Sequence, residues 1–434
     1  MIIPLLFISI FLSFIPASAG TVDFDGSFPG MPPIEITGGN LYVPVIPPAD
    51  IAQNRGIKEW TVMVFDNGKN ALEDCGLSDV NDLEEAGSSE NVNVVVELGR
   101  IKGFEASDGD WTGSRRYLIQ KDFDKNRITS PVLMEIKDSD MGDWRYLAGF
   151  VRWVKVNFPA RKYALIIADH GNGWKPVDSV NAITRGISLD EETNHEISVL
   201  ETGKAFAEIG WLDLYGADAC NMQMMDVAYE IKDHVGIIAG SEETVPGAGY
   251  AYGAFMNLLN NNPTATPEEL GYYMVSTYSE YFLNGGDNES MSVTQSVIRT
   301  SQLEPLKKLL DDWTRLVMAE NDRSLMEKAK KSARFFDDRD YKDLYDFVSA
   351  YGRETASPEI REKSGEILRH IETGLIASNW AMAGNAHGLS INIPHASYDQ
   401  AYDLLNFPRE GLWGDFARWS AGIYSRSSGK RYKK

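Results

Sequence analysis

The sequence predicts an α/β protein built on a mostly parallel β-sheet with helices on both faces. Two observations carry this prediction. Apolar runs alternate with amphipathic helical segments between Trp60 and Thr244. These runs are also continuous, without regular polar interruptions, which is typical of strands buried on both faces of a parallel sheet. After about Pro263 the pattern becomes largely helical.

The first elements form a strand–helix–strand unit. A strand at Trp60–Phe65 stops at Asp66, and a helix that carries Cys75 begins near Asn70. A second apolar strand follows at Val92–Leu98. Parallel strands joined through a helix form a right-handed crossover, so this unit begins the parallel sheet.

The next segments lead to two apolar runs that each end in a reactive side chain. Arg115–Gln120 and Pro131–Ile136 are predicted to form a small hairpin at the sheet edge, followed by an amphipathic helix at Asp140–Phe158. The remaining predicted strands are Ala164–Ala168, Leu212–Ala219, Val235–Gly240 and Gly388–Pro394. The remaining predicted helices are Val199–Gly210, Met222–His234, Pro267–Leu283, Leu303–Glu320, Asp322–Arg334 and Ile360–Ala377.

Composition and the N-terminus suggest an exported, acidic protein. The net charge of −21 argues against nucleic-acid binding. The first nineteen residues are apolar and end in Ala17-Ser18-Ala19, which fits a cleaved export signal, with a membrane anchor as the alternative. No other stretch has the roughly eighteen apolar residues of a membrane span. The expected location is therefore extracellular, periplasmic or at the cell surface.

The chain of 434 residues divides into five predicted parts. Residues 1–19 are the signal peptide, and 20–57 form an arm rich in Gly and Pro or a removable pro-segment. Residues 58–262 form the sheet domain that carries the reactive side chains. Residues 263–425 form a helical region packed on that domain, and 426–434 are a basic tail.

His170 and Cys220 are the candidate catalytic residues because each follows an apolar strand. Strand ends of this kind meet at the edge where open α/β sheets place their chemistry. An imidazole can accept the proton of a thiol and make it nucleophilic. The N–H groups of Gly171 and Cys220 could then stabilise a developing oxyanion. The alternative is that both are ordinary core residues.

The second cysteine bears on this interpretation. In an exported protein the default for two cysteines is a disulfide, but a nucleophilic Cys220 has to stay free. Cys75 is therefore predicted to be an unpaired, structural residue on the first helix.

Several motifs resemble the clostripain family of cysteine peptidases. They are HGNGW, DACNM, GSEETVPGAGYAYGAF, WTVMVFDNGKNALED, MGD before the long helix, YKDLYDFV and HGLSINIP. The likeness runs from about Trp60 to Tyr424. It implies a caspase-like fold, shared with caspases, legumain and gingipains. It also implies an endopeptidase that cuts after a basic residue.

The resemblance assigns roles to three residues. The histidine of the family corresponds to His170, its nucleophile to Cys220, and its substrate-reading acid to Asp218. Side chains at n and n+2 of a strand share a face, so Asp218 would form the floor of an S1 pocket beside the sulfur. A carboxylate there pairs well with a guanidinium. Alternatively, Asp218 caps the next helix or binds backbone amides. Asp169 is expected to point away from His170 and to be structural.

Two further residues are assigned to the S1 pocket. Glu242 and Glu243 follow the predicted strand Val235–Gly240, and one of them, assigned as Glu242, is expected to contribute to binding the basic side chain. The alternative is that both are solvated or structural. Tyr250 lies in the segment Ala248–Tyr252, which corresponds to a pocket wall in the family.

The resemblance also raises self-processing and calcium. Arg185 is the candidate cleavage site, the alternative being an uncut surface loop. Asp190, Glu191 and Glu192 are a possible calcium site, although they lack the alternating spacing of a calcium loop. No cofactor is expected to be required. The six histidines show no zinc-ligand spacing, so no metal ligand is assigned.

The sequence therefore predicts a secreted cysteine endopeptidase, made as a zymogen, that cleaves after Arg or Lys. Its partners would be proteins or peptides with exposed Arg or Lys. Neither nucleic acid nor, after signal removal, a membrane is expected, and the protein is expected to be a monomer. The alternative is a non-catalytic secreted or surface protein that binds carbohydrate or protein on the same scaffold. Ten tryptophans and nineteen tyrosines allow that alternative.

Overall fold

The computed structural model describes residues 43–44, 56–175, 186–286 and 292–427, with side chains from 56 to 421 of these ranges. All of them belong to one compact unit, Leu41–Lys434. The predicted signal peptide at 1–19, the cleavage candidate Arg185 and nearly all of the arm at 20–57 lie outside the described residues. So does most of the basic tail at 426–434.

Fourteen strands occur in the described residues. They are β1 (Val43–Pro44), β2 (Lys58–Gly68), β3 (Val92–Arg100), β4 (Gly113–Leu118), β5 (Val132–Ile136), β6 (Ala160–Ala168), β7 (Gly186–Asp190), β8 (His195–Ser198), β9 (Leu212–Asp218), β10 (Val235–Gly240), β11 (Thr294–Arg299), β12 (Tyr341–Asp343), β13 (Ile376–Ala381) and β14 (Ser390–Asn392).

Twelve α-helices occur in the same part of the chain. They are α1 (Glu73–Ala86), α2 (Trp144–Asn157), α3 (Val199–Ile209), α4 (Met225–Ile231), α5 (Tyr252–Asn261), α6 (Pro267–Leu283), α7 (Leu303–Glu320), α8 (Arg323–Ser332), α9 (Leu344–Glu354), α10 (Pro358–His370), α11 (Asn406–Glu410) and α12 (Trp413–Ser427).

Ten of the strands form one sheet in the order β1-β5-β4-β3-β2-β6-β9-β10-β11-β13. The five central strands, from β3 to β10 in this order, run parallel to their neighbours. The strands on either side are antiparallel. The predicted α/β sheet is therefore confirmed, with antiparallel additions at both edges.

The continuous apolar runs arise because both faces of the sheet are covered. Along β2, Val62 and Val64 pack into one apolar layer, whereas Met63 and Phe65 pack into the other. The first layer includes residues of α1, α5 and α6, and the second includes residues of α2, α3 and α4. Alternate side chains of one strand thus enter two different cores, so all four positions from Val62 to Phe65 are apolar.

The region from 263 to 425 supplies two strands to the main sheet, which the sequence did not predict. In β11, Thr294, Gln295 and Ser296 are buried polar residues. The Ser296 hydroxyl donates to the Gly388 carbonyl over 2.7 Å, and the Gln295 amide donates to the Tyr250 hydroxyl over 2.6 Å. Because these hydrogen bonds satisfy the polar side chains, a buried strand forms here without an apolar pattern.

Other differences from the predicted elements are small. The β4–β5 hairpin lies one strand in from the edge, because β1 pairs with β5. The late strand, β14, pairs with β12 in a separate two-stranded sheet. Within the described ranges, no helix is both long enough and apolar enough to cross a bilayer.

Candidate active site

His170 and Cys220 follow neighbouring parallel strands at the same edge of the sheet. Ala168 at the end of β6 pairs with Asp218 at the end of β9. The Asp169 N–H donates to the Asp218 carbonyl over 3.3 Å. His170 and Cys220 lie two residues beyond the Ala168–Asp218 pair, so both follow the C-terminal ends of neighbouring parallel strands. The structure thus brings the two predicted residues together at the C-terminal edge of the parallel strands.

Gly171 lies directly against the backbone of Cys220. A Cβ atom at Gly171 would be 2.6 Å from the Cys220 carbonyl oxygen, 2.8 Å from the Ala219 Cβ and 3.0 Å from the Cys220 nitrogen. Each distance is shorter than a normal non-bonded contact. Glycine is therefore required here because two backbone segments approach closely. The exposed His170 directly precedes this contact with Cys220.

The β7–β8 hairpin holds the histidine segment on its other side. The Asn172 N–H donates to the Gly186 carbonyl over 3.1 Å, and the Ser188 N–H donates to the His170 carbonyl over 3.3 Å. Gly171 lies between these two bonds, in the non-hydrogen-bonded position of an antiparallel bridge. The hairpin therefore fixes the segment without using the N–H of Gly171.

The end of the histidine segment is fixed by the C-terminal region. The Tyr341 hydroxyl donates to the Asn172 carbonyl over 2.7 Å and accepts from the Lys175 N–H over 3.1 Å. The Lys175 ammonium lies 2.5 Å from Asp338 and 2.8 Å from Asp340. Residues far apart in sequence thus hold the segment that follows the histidine strand, up to Lys175.

The Cys220 thiol is partly buried under the loop that follows β10. The Val245 N–H donates to Sγ over 3.3 Å, and Sγ lies 3.8 Å from the Val245 carbonyl oxygen. Burial raises the pKa of the thiol, the Val245 N–H lowers this pKa, and Asp337, Asp218 and Glu243 raise it through their charge. The net pKa is raised, so the thiol of the free protein is held in its protonated form and needs a base or a neutralising cation to become a thiolate.

Asp218 is buried, with 5% of its surface exposed. Its Oδ2 accepts hydrogen bonds from the Tyr250 N–H over 2.9 Å and from the Tyr252 hydroxyl over 3.0 Å. Burial raises the pKa of this carboxyl, and the two hydrogen bonds partly offset that rise. Its Oδ1 has no hydrogen-bond partner among the described residues. One oxygen thus binds a backbone amide, as one interpretation of the sequence proposed, while the other is buried and unsatisfied within the described part of the chain.

The two glutamates after β10 have different surroundings. Glu242 is buried, and its Oε2 accepts from the Gly388 N–H over 2.8 Å. Burial and the charge of Asp343 raise the pKa of Glu242. Glu243 is among the carboxylates that act on the Cys220 thiol, and it lies 4.0 Å from Arg334. These contacts connect Glu242 to the C-terminal region, and its role in the S1 pocket stays a prediction.

Tyr250 contributes its backbone, whereas Tyr252 contributes its side chain. The Tyr250 ring is buried, and its hydroxyl donates to the Ala217 carbonyl over 3.1 Å, so only its N–H contacts Asp218. The contact from the Tyr252 hydroxyl to Asp218 was not predicted. Asp66, which lies two residues before the end of β2 at the same sheet edge, was also not assigned to the site. The signal that could have identified Asp66 is its position as an acidic residue directly after a predicted buried strand.

Three other predicted features are located as follows. Asp169 accepts a hydrogen bond from the Asn70 amide over 2.7 Å. Cys75 and Cys220 are both free thiols, as predicted. The Lys69 ammonium lies 2.9 Å from Asp190 and 2.7 Å from Glu192.

These ion pairs bear on the calcium prediction. In this structure the Lys69 ammonium, not a metal ion, neutralises the carboxylates of Asp190 and Glu192. Within the described ranges, no group of three side chains that could hold a metal ion is found. A calcium requirement of the protein stays a prediction.

Known structures resemble this fold over most of its length. A secreted cysteine protease from Bacteroides thetaiotaomicron, solved with an irreversible peptide inhibitor, superposes with a TM-score of 0.63 at 17% identity. The match covers 83% of this chain and 99% of that one. An inactive zymogen protease from Parabacteroides distasonis superposes with a TM-score of 0.59 at 15% identity, covering 84% and 99%. These likenesses confirm the caspase-like fold.

Sequence comparison points to the same family. Clostripain from Hathewaya histolytica is 23% identical over 411 residues, which cover 80% of this chain and 77% of clostripain. The model of the clostripain family matches residues 64–416, a span that contains His170, Asp218 and Cys220. Because this match covers well over half of the sequence, the chain belongs to the clostripain family of cysteine peptidases.

Proposed function

We propose that this protein is a secreted cysteine endopeptidase that cleaves peptide bonds after Arg or Lys. Cys220 is the nucleophile, His170 is the general acid and base, and Asp218 binds the basic side chain. The observation that carries the proposal is the close approach of Gly171 to Cys220, with Asp218 buried in the same register two residues earlier. The family supports a cysteine peptidase, and the specificity is our own inference.

Substrate binding begins with the basic P1 side chain. Its cation contacts Oδ1 of Asp218, the oxygen without a hydrogen-bond partner among the described residues. The scissile carbonyl oxygen then lies near the N–H groups of Gly171 and Cys220. The Gly171 N–H is suited to this role because the β7–β8 hairpin does not use it. The cation also neutralises Asp218, one of the carboxylates that raise the pKa of the Cys220 thiol.

Bond cleavage follows in two steps. The Cys220 thiol first gives its proton to His170. The resulting thiolate attacks the carbonyl carbon, and the tetrahedral intermediate becomes a thioester as the C–N bond breaks. His170 gives a proton to the leaving amine. Water then attacks the thioester while His170 accepts its proton, and the Cys220 thiolate leaves from the free carboxyl product.

Export and processing are part of the same proposal. Residues 1–19 act as the export signal, and cleavage after Arg185 converts a zymogen into the active form. Arg185 suits the specificity proposed for the enzyme itself. On a denaturing gel, active protein should run as two fragments, and Arg185→Ala should run as one. A single full-length band from active wild-type protein would refute the processing step.

Hydrolysis of matched fluorogenic peptides tests the activity. Wild-type protein should cleave peptides with Arg or Lys at P1 and should leave a matched peptide with Asp at P1 intact. The Cys220→Ala variant should cleave none of them. A chloromethylketone carrying Arg should label Cys220 in the wild type only. If the wild type and Cys220→Ala show equal rates and no labelling occurs, the protein is not this peptidase, and the non-catalytic binding protein becomes the better interpretation.

A further inference from the structure

Two buried carboxylates flank a small residue at the active-site edge of the sheet. Asp66 of β2 pairs with Ala168 of β6, and Ala168 pairs with Asp218 of β9. Residues in register on adjacent parallel strands point to the same face, and neighbouring strands lie about 4.8 Å apart. The α-carbons of the two acids are therefore about 10 Å apart. Ala168, whose side chain is a single methyl group, is the residue between them in this row.

Each carboxylate has one oxygen that no group in the described ranges satisfies. Asp66 is 3% exposed and Asp218 is 5% exposed. Asp66 Oδ2 and Asp218 Oδ1 both lack a hydrogen-bond partner among the described residues. Leaving a buried acceptor unsatisfied costs free energy that a bound donor recovers. Two such oxygens on one face of the sheet point to a ligand with more than one N–H group.

The surroundings of Asp66 favour a cationic ligand. Asp66 faces Asp218 from β9, Asp79 and Cys75 from α1, Asp169 after β6 and Tyr252 from α5, and each of these groups is an acid. Burial raises the pKa of Asp66, and the charge of Asp218 raises it further. The free protein therefore keeps a proton on this group of acids, and a cation that binds there would displace it.

We propose that Asp66 is the second acid of the P1 pocket and that a guanidinium lies over Ala168 between Asp218 and Asp66, so that arginine is preferred to lysine. This inference rests on the proposed function. A guanidinium is planar and presents N–H groups along two edges, so it can contact carboxylates on opposite sides. A lysine ammonium is compact and contacts one carboxylate closely. Asp66 is a specificity residue, remote from the reacting carbonyl.

The first test compares cleavage of two peptides that differ only in Arg or Lys at P1. In Asp66→Asn, kcat/KM for the Arg peptide should fall by about 10- to 100-fold, as expected for one buried charge-assisted hydrogen bond. The kcat/KM for the Lys peptide should fall much less, so the Arg-to-Lys ratio of kcat/KM should decrease strongly. The control is Asp82→Asn, which removes the same charge from α1 at a side chain that is 40% exposed and pairs with Lys125. This control should keep the wild-type ratio.

The second test measures ligand binding and does not require the Asp66 variant to fold. Cys220→Ala protein is titrated calorimetrically with agmatine, a guanidinium, and with 1,5-diaminopentane, an ammonium of similar length. Buffers of different ionisation enthalpy report the protons released. Agmatine should bind more tightly and should release a proton. Equal affinities without proton release would overturn the inference.

The outcomes separate this inference from the proposed function. If the wild type cleaves Arg peptides and Asp66→Asn retains the wild-type ratio of Arg to Lys cleavage, Asp66 has no role in specificity while the peptidase assignment stands. If the wild type shows no cleavage that depends on Cys220, the proposed function itself has failed.

Discussion

Replacing Gly171 with alanine should remove most of the peptidase activity while the protein stays folded. The added methyl carbon would lie 2.6 Å from the Cys220 carbonyl oxygen and 3.0 Å from the Cys220 nitrogen. Non-bonded carbon atoms settle at about 3.5–4.0 Å. The histidine segment and the Cys220 backbone would therefore have to separate by about 1 Å.

This separation acts on the reacting groups. It moves His170 and the Gly171 N–H away from the carbonyl that Cys220 attacks. A displacement of about 1 Å in an active site can lower the rate by about 100-fold. The overlap itself should destabilise the fold by about 1–3 kcal/mol, as overpacked sites do. Because Asp218 is not displaced directly, kcat should fall more than the affinity for a basic ligand.

The matched control is Gly149→Ala. Gly149 lies in α2, where a Cβ atom would meet no atom within 4 Å. This change should leave kcat/KM unchanged and stabilise the protein by about 0.5–1 kcal/mol, the usual gain for alanine over glycine in a helix. The assay is hydrolysis of an Arg fluorogenic peptide together with thermal unfolding. Wild-type kcat/KM in Gly171→Ala would show that the contact with Cys220 does not position the reacting groups.

Three further predictions follow from charge and capping. The rate of Cys220 alkylation by iodoacetamide should rise only at higher pH than for an exposed cysteine, because burial and nearby carboxylates raise the pKa of the thiol. Asp218→Asn or added agmatine should shift this pH–rate profile to lower pH. An unchanged profile would contradict the role of the carboxylates. Burial raises the pKa of Asp66, so the folded state retains a proton that the unfolded chain releases above about pH 4. The free energy of unfolding should therefore fall as pH rises from there through the folded-state pKa, and in urea titrations Asp66→Asn should show a smaller fall. Ser198→Ala removes the capping box at the start of α3 and should cost about 1 kcal/mol without changing kcat/KM, whereas equal stability would mean that the cap is not needed.

The sequence predicted the central strands and the reactive pair because both depend on local patterns. A continuous apolar run identifies a doubly buried strand, and the residue after it must lie at the sheet edge. His170 and Cys220 could be placed by this rule alone. The same rule applied to Asp66, but only the strand order puts β6 between β2 and β9 and so aligns Asp66 with Asp218. Strand order depends on contacts distant in sequence, which a local pattern does not contain.

The other missed features depend on side-chain hydrogen bonds. The buried polar residues of β11 are satisfied by partners in distant segments, so the strand has no apolar signature. The contact from Tyr252 to Asp218 exists because the loop after β10 folds back under the end of β9. In that loop, Gly249 has a φ of +53°, and a Cβ atom there would lie 2.5 Å from Asp218 Oδ2. A chain reversal of this kind cannot be deduced from spacing.

The sheet register also bears on the proposed preference for a long basic P1 side chain. Asp66, Ala168 and Asp218 form one row across three strands, and Gly68, His170 and Cys220 lie two residues further along. Two residues of a strand span about 6.6 Å, which separates the reacting groups from the acids. A short acidic or polar P1 side chain cannot bridge that distance, and an apolar one would leave the buried carboxylate oxygens without a donor. Under the proposed function, this spacing favours a P1 side chain that is both long and cationic, and it places the specificity residue two positions before the nucleophile.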